Sequence, residues 1–84
     1  MIETYNKNKA EAQVLRKLIK INIPNFNYRR VYTEKRKNGV CRMKFWRMND
    51  YSIDKLVDYL TQNVPYRFKI EPMGPYRSVA IFIS

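Results

Sequence analysis

The stretch Tyr28-Arg29-Arg30-Val31-Tyr32-Thr33-Glu34-Lys35-Arg36-Lys37-Asn38-Gly39-Val40-Cys41-Arg42-Met43-Lys44-Phe45-Trp46-Arg47-Met48 decides how this chain folds. Its centre, Asn38-Gly39, is the pair that a tight hairpin turn favours. Both central residues of such a turn take positive φ, and Asn and Gly do so at least cost. The spacing therefore predicts strands over residues 28–36 and 40–48. A two-residue loop would set Arg36 opposite Cys41, Lys35 opposite Arg42, Glu34 opposite Met43 and Thr33 opposite Lys44. Tyr32 would then oppose Phe45, and Val31 would oppose Trp46. On that register Tyr32, Glu34, Cys41, Met43 and Phe45 share one face. Arg29, Val31, Thr33, Lys35, Arg42, Lys44 and Trp46 share the other.

Upstream, residues 4–21 read as a helix. Ala10, Val14, Leu18 and Ile21 recur at three- or four-residue steps and make its expected buried face, with Leu15 and Ile19 flanking them. Lys9, Gln13, Arg16, Lys17 and Lys20 fall on the other side as a basic stripe. Pro24 forbids continuation, and Asn25-Phe26-Asn27 reads as a loop. Downstream, residues 49–63 read as a second helix, with Ile53, Leu56, Val57 and Leu60 as its apolar face, and Pro65 stops it. Residues 66–71 alternate, Tyr66, Phe68 and Ile70 against Arg67, Lys69 and Glu71. Pro72-Met73-Gly74-Pro75 reads as a turn. Residues 76–83 end in Val-Ala-Ile-Phe-Ile, apolar on both faces, as a central strand would be.

The order α-β-β-α-β-β predicts an α+β domain spanning residues 1–84. A four-stranded antiparallel sheet would carry both helices on one face, a permuted ferredoxin-like arrangement. The other sheet face is then left uncovered, the geometry that small RNA-binding domains use.

Charge is the strongest functional signal. The 84 residues carry 17 Lys and Arg against 7 Asp and Glu, a formal net charge of +10. Eight of those cations, with the single acid Glu34, lie between Arg29 and Arg47. Self-repulsion on this scale is relieved by a bound polyanion. In the expected register Lys35 and Arg42 are directly opposed like charges, which costs up to about 1 kcal/mol in a sheet. A phosphate between them would turn that repulsion into a site, and Trp46 beside them offers a face on which a base stacks. The expected nucleic-acid-binding residues are Arg29, Lys35, Arg36, Lys37, Arg42, Lys44, Trp46 and Arg47, with Arg67 and Lys69 from the third strand. The same cations on a solvated strand also discourage edge-to-edge association.

The residues argue against catalysis. There is no histidine, and Gly39 and Gly74 are the only glycines, too few for a phosphate-cradling loop. The one cysteine, Cys41, cannot form an internal disulfide, has no zinc partner, and falls on the core face. Asp50, Asp54 and Asp58 form an acidic stripe on the second helix, which reads as a solvated face with Asp50 favouring the helix dipole. No cofactor or metal is implied. The stripe could also meet the basic patch of a second copy, which leaves homo-oligomerisation open. Met1 leads into a polar stretch with no apolar signal segment, and the longest apolar run is far too short for a bilayer, so a cytoplasmic protein without a membrane partner is expected.

Size, basic balance, eight Asn, eight Ile, seven Tyr and the absence of His, with the hairpin run quoted above, give the chain a composition that resembles the small early accessory proteins of T-even bacteriophages. That resemblance implies host takeover or counter-defence in the host cytoplasm, with RNA as ligand or bridge. One member of that group is an RNA-associated inhibitor of a toxin–antitoxin ribonuclease. The expectation is thus a non-catalytic RNA-binding accessory protein that inhibits a host nuclease or toxin through RNA-assisted binding. The alternatives are an inhibitor docking on an acidic host or toxin protein without RNA, and a DNA-binding regulator whose hairpin enters the major groove.

Overall fold

A computed structural model describes residues 2–84. Seven elements follow one another. They are α1 (Ile2–Asn22), β1 (Arg30–Lys35), a 3-10 turn (Lys37–Gly39), β2 (Cys41–Met48), α2 (Asp50–Asn63), β3 (Arg67–Met73) and β4 (Tyr76–Ile83). The four strands form one antiparallel sheet in the order β1-β2-β4-β3, with β2 and β4 central. The expected α+β class and the order α-β-β-α-β-β hold, and this strand order is the one a permuted ferredoxin-like fold requires.

Both helices lie on one sheet face. Ala12, Leu15 and Ile19 of α1 and Ile53, Leu56 and Leu60 of α2 share one buried cluster with Cys41, Met43, Phe45, Val79, Ile81 and Ile83. Those strand residues sit in register: Cys41 pairs with Ile83, Met43 with Ile81 and Phe45 with Val79. Phe26 and Tyr28, from the loop after α1, close one end of the core against Phe45, with ring centroids 5.1–5.4 Å apart. Two bonds tie that loop to α2. The Asn27 backbone N–H donates to Ser52 Oγ at 2.8 Å, and the Tyr51 hydroxyl donates to the Pro24 carbonyl at 3.2 Å. Asn49 caps α2 by accepting from the Ser52 N–H at 2.8 Å, an arrangement worth about 1 kcal/mol.

The buried face of α1 differs from the expected one. The inward line is Asn8, Ala12, Leu15 and Ile19, continuing to Ile23. Val14, Leu18 and Ile21 are exposed by 58%, 42% and 77%. Both series step by three or four residues, so periodicity alone is degenerate here. Tertiary contact chooses, because Asn8 donates from Nδ2 to the Gly39 carbonyl at 3.0 Å and Ile23 reaches the core. The expected flanking residues are the true centre.

The hairpin register also differs, by one residue. Lys35 pairs with Cys41, Glu34 with Arg42, Thr33 with Met43, Tyr32 with Lys44, Val31 with Phe45 and Arg30 with Trp46. The turn itself is as expected, with Asn38 at φ 62° and Gly39 at φ 77°. The difference arises at Lys37. The Val40 N–H reaches back to the Lys37 carbonyl at 3.4 Å, while the Val40 carbonyl accepts from the Arg36 N–H at 2.8 Å. Val40, just ahead of β2, thus faces both Arg36 and Lys37, a β-bulge that sets every β1 side chain on the face opposite to the expected one. Tyr32 and Glu34 leave the helix-covered side; Val31, Thr33 and Lys35 move onto it.

Candidate nucleic-acid interface

The sheet face away from the helices carries Arg30, Tyr32 and Glu34 from β1, and Arg42, Lys44 and Trp46 from β2. Ser78, Ala80 and Phe82 come from β4, and Arg67, Lys69 and Glu71 from β3. No helix covers it. Ala80 is nevertheless fully buried, flanked in register by the long side-chain residues Lys44 and Lys69.

The charges on this face divide into a neutralised centre and a free periphery. Arg42 reaches Glu34 and Glu71, each at 2.9 Å, and Lys44 reaches Glu71 at 3.1 Å. Arg42 and Lys44 are largely buried, so these are shielded contacts that hold β1, β2 and β3 together. Burial pushes the Glu71 carboxyl up, but the Lys44 hydrogen bond and charge, then Arg42 and Lys69, outweigh it and hold the group below its usual range. Arg30, Arg47, Arg67 and Lys69 make no ion pair among the described residues.

The three free arginines stand on aromatic rings. The Arg30 guanidinium lies 3.9 Å from the Trp46 ring centre. Arg47 lies 5.9 Å from the same ring and 5.6 Å from the Tyr76 ring. Across the sheet, Arg67 lies 4.5 Å above Phe82. A second bulge aims the Trp46–Arg47 pair. Phe45 pairs with Val79 but Met48 pairs with Arg77, so Trp46 and Arg47 together face one residue of β4. Arg47 absorbs the extra length at φ 55°, a left-handed conformation that costs an L-residue about 1–2 kcal/mol. The Trp46 Nε1–H is buried with no acceptor among the described residues. An unpaired buried donor costs about 1–3 kcal/mol.

The ten expected site residues separate accordingly. Arg42, Lys44, Trp46, Arg67 and Lys69 share the open face, with Arg47 on its rim. Arg42 and Lys44 act there as internal ion-pair partners. The expected opposition of Lys35 and Arg42 does not exist: Lys35 pairs with Cys41 on the helix side, and Glu34 holds the position facing Arg42. Arg36 and Lys37 are exposed in the turn, with Arg36 3.5 Å from Glu34, and Arg29 is exposed ahead of β1. Arg30, Tyr32, Tyr76 and Phe82 are the residues that the sequence reading missed. The break in the β2 pattern, Cys41, Met43 and Phe45 buried at alternate positions and then Met48, was the available sign of a bulge at residues 46–47.

Cys41 is fully buried, and burial pushes its thiol up, a shift that the nearby Lys9 charge only reduces. Asp50 pairs with Arg77 at 2.6 Å. Among the described residues no helix is long and apolar enough to cross a membrane, and no cluster of His, Cys, Asp and Glu has the makings of a metal site. No protein-family model, curated protein or solved structure matches this chain.

Proposed function

We propose that the protein binds single-stranded or looped RNA on its open sheet face and acts by that binding, without catalysis. The observation that carries the reading is the Arg30–Trp46–Arg47 cluster, in which guanidiniums with no ion pair among the described residues lie against an indole on the sheet face away from the helices. A base stacking on Trp46 displaces Arg30 from the ring. The exchange gives up a cation–π contact of about 0.5–1 kcal/mol and gains a stack of about 1–3 kcal/mol. The displaced guanidinium then lies beside the base's own phosphate and pairs with it. Arg67 and Lys69 continue the track of positive charge across the sheet, with Phe82 as a second ring.

Duplex DNA fits this surface less well. A major-groove ribbon must project from its domain. Here β2 is flanked by β1 and β4, and the hairpin turn is fastened to α1 through Asn8. Likeness in composition to T-even phage accessory proteins adds a setting, in which the bound RNA bridges the protein to a host nuclease or toxin.

The test is fluorescence anisotropy of a labelled single-stranded RNA with two double charge reversals. Arg30→Glu with Arg47→Glu weakens binding at least about tenfold, while Lys35→Glu with Lys37→Glu changes it by less than about threefold. The reverse order of effects, or no binding by the wild type at low salt, overturns the proposal.

A further inference from the structure

The two flanks of α1 face different neighbours. Glu11, Val14 and Leu18 each lie one position before a residue of the buried line Ala12, Leu15 and Ile19. Glu11 accepts from the Tyr66 hydroxyl, and Val14 and Leu18 line a cleft with residues 63–66, so this flank looks toward the β3 edge of the sheet. Lys9, Gln13, Arg16 and Lys20 each lie one position after the buried line Asn8, Ala12, Leu15 and Ile19. They form one row of three- and four-residue steps on the opposite flank, above the β1 edge. The Lys9 charge accordingly acts on the Cys41 thiol, and Cys41 pairs with Lys35 of β1. Asn8 bonds to Gly39 in the hairpin turn, while the loop after α1 packs Phe26 on Phe45, the neighbour of Trp46. Lys9 thus lies toward the turn and Lys20 toward the Trp46 end of the sheet.

This row is charged and unpaired. Lys9 and Lys20 are exposed, Arg16 is half-buried, and none of the three makes an ion pair among the described residues. No acid shares the row. Glu3 and Glu11 lie on other faces of α1, Glu34 and Glu71 meet Arg42 on the open sheet face, and Asp50, Asp54 and Asp58 belong to α2. The row also lacks a ring for stacking, because Tyr5, the only aromatic residue of α1, packs against the core. Cations without rings suit phosphates rather than unstacked bases, and a double helix presents its phosphates with its bases turned inward. From Lys9 to Lys20 the row spans about 16 Å, long enough to follow several phosphates. We infer that this flank takes the phosphate backbone of a double-helical stem. The preferred ligand is then an RNA hairpin whose loop lies on Trp46 and whose stem passes the β1 edge and follows α1. The inference rests on the RNA reading of the open face.

The test compares two labelled RNAs by fluorescence anisotropy: a single strand of about six nucleotides, and a hairpin that presents the same sequence as the loop of a stem of about ten base pairs. The hairpin binds at least about tenfold tighter than the single strand. Lys9→Glu with Lys20→Glu removes that advantage and makes the hairpin's salt slope shallower by about two. It leaves the single strand within about threefold of wild type. Lys9→Gln with Lys20→Gln acts in the same direction, should the charge reversals fail to fold by circular dichroism. Lys7→Glu with Lys17→Glu makes the same change of net charge elsewhere on α1 and weakens the hairpin at least about threefold less. Equal losses from the two charge-reversed pairs overturn the inference, because net charge alone then explains them. A single strand that binds and quenches Trp46 emission but gains nothing from the stem overturns this inference alone. Binding of neither RNA overturns the open-face reading along with it.

Discussion

Glu34 stands opposite Arg42 across the β1–β2 ladder, its carboxylate 2.9 Å from the guanidinium. One bulged residue, Lys37, produces this pairing where an unbulged hairpin would have opposed two cations. The register thus neutralises the middle of a basic sheet and leaves its margins charged. The RNA contacts proposed for this face lie at that margin, where Arg30 and Arg47 flank Trp46.

Deleting Lys37 tests the origin of the register. Without it, Arg36 and Val40 directly flank Asn38-Gly39, and the observed pairing becomes that of a regular two-residue hairpin. The deletion variant should fold with its stability within about 1 kcal/mol of wild type in urea unfolding. Cross-strand NOEs should still connect Glu34 with Arg42. Loss of folding, or of that pairing, means the bulge is essential to the register and not an accommodated extra residue.

Replacing Glu71 by Gln removes the negative charge that Arg42 and Lys44 share while leaving an amide oxygen that can still accept. Stability should fall by about 1 kcal/mol, the difference between a charge-assisted and a neutral hydrogen bond. RNA affinity at low salt should rise, because Lys44 loses its ion-pair partner and Arg42 one of its two. A variant that binds RNA more weakly would mean that Glu71 positions the site.

The same carboxylate gives the fold an acid dependence. Glu71 titrates below its usual range in the folded protein, so the folded state favours the ionised form. Its contribution is complete above the ordinary glutamate pKa of about 4.3 and is lost as pH falls through the depressed folded value. Urea midpoints measured from neutrality down to that region should decline for the wild type. For Glu71→Gln the decline should be shallower; parallel curves would remove Glu71 as a source of the acid dependence.

Arg47 should show a conflict between stability and binding. Arg47→Gly relieves the left-handed backbone conformation and should leave stability unchanged or raise it by about 1 kcal/mol. The same change removes a guanidinium from the Trp46 and Tyr76 rings and should weaken RNA binding severalfold. A variant that is both less stable and unimpaired in binding would contradict the role assigned to this bulge.

Much of the fold was legible in the chain. Asn38-Gly39, Pro24 and Pro65 marked the breaks, and Tyr66-Arg67-Phe68-Lys69-Ile70-Glu71 displayed its two faces directly. Two features were not legible, for the same physical reason. Around α1 the series Ala10-Val14-Leu18 and Ala12-Leu15-Ile19 are equally periodic, and only the contacts of Asn8 and Ile23 distinguish them. In the hairpin, the Val40 carbonyl can accept from Arg36 or from Lys37, and local turn chemistry does not choose. A one-residue change there exchanged the face of Lys35 for that of Glu34. It turned an expected phosphate cradle into an ion-paired centre, while Trp46 kept its place.

The single tryptophan makes the decisive measurement direct. Trp46 emission should be followed while a short single-stranded RNA is added, with anisotropy of the labelled RNA recorded in parallel. Stacking on Trp46 predicts saturable quenching that tracks the anisotropy curve. With Arg30, Arg47, Arg67 and Lys69 as the free cations, log affinity should fall with log salt at a slope of about −3. Binding with no change in Trp46 emission would place the RNA elsewhere on the molecule, and no binding at low salt would contradict the RNA-binding role itself.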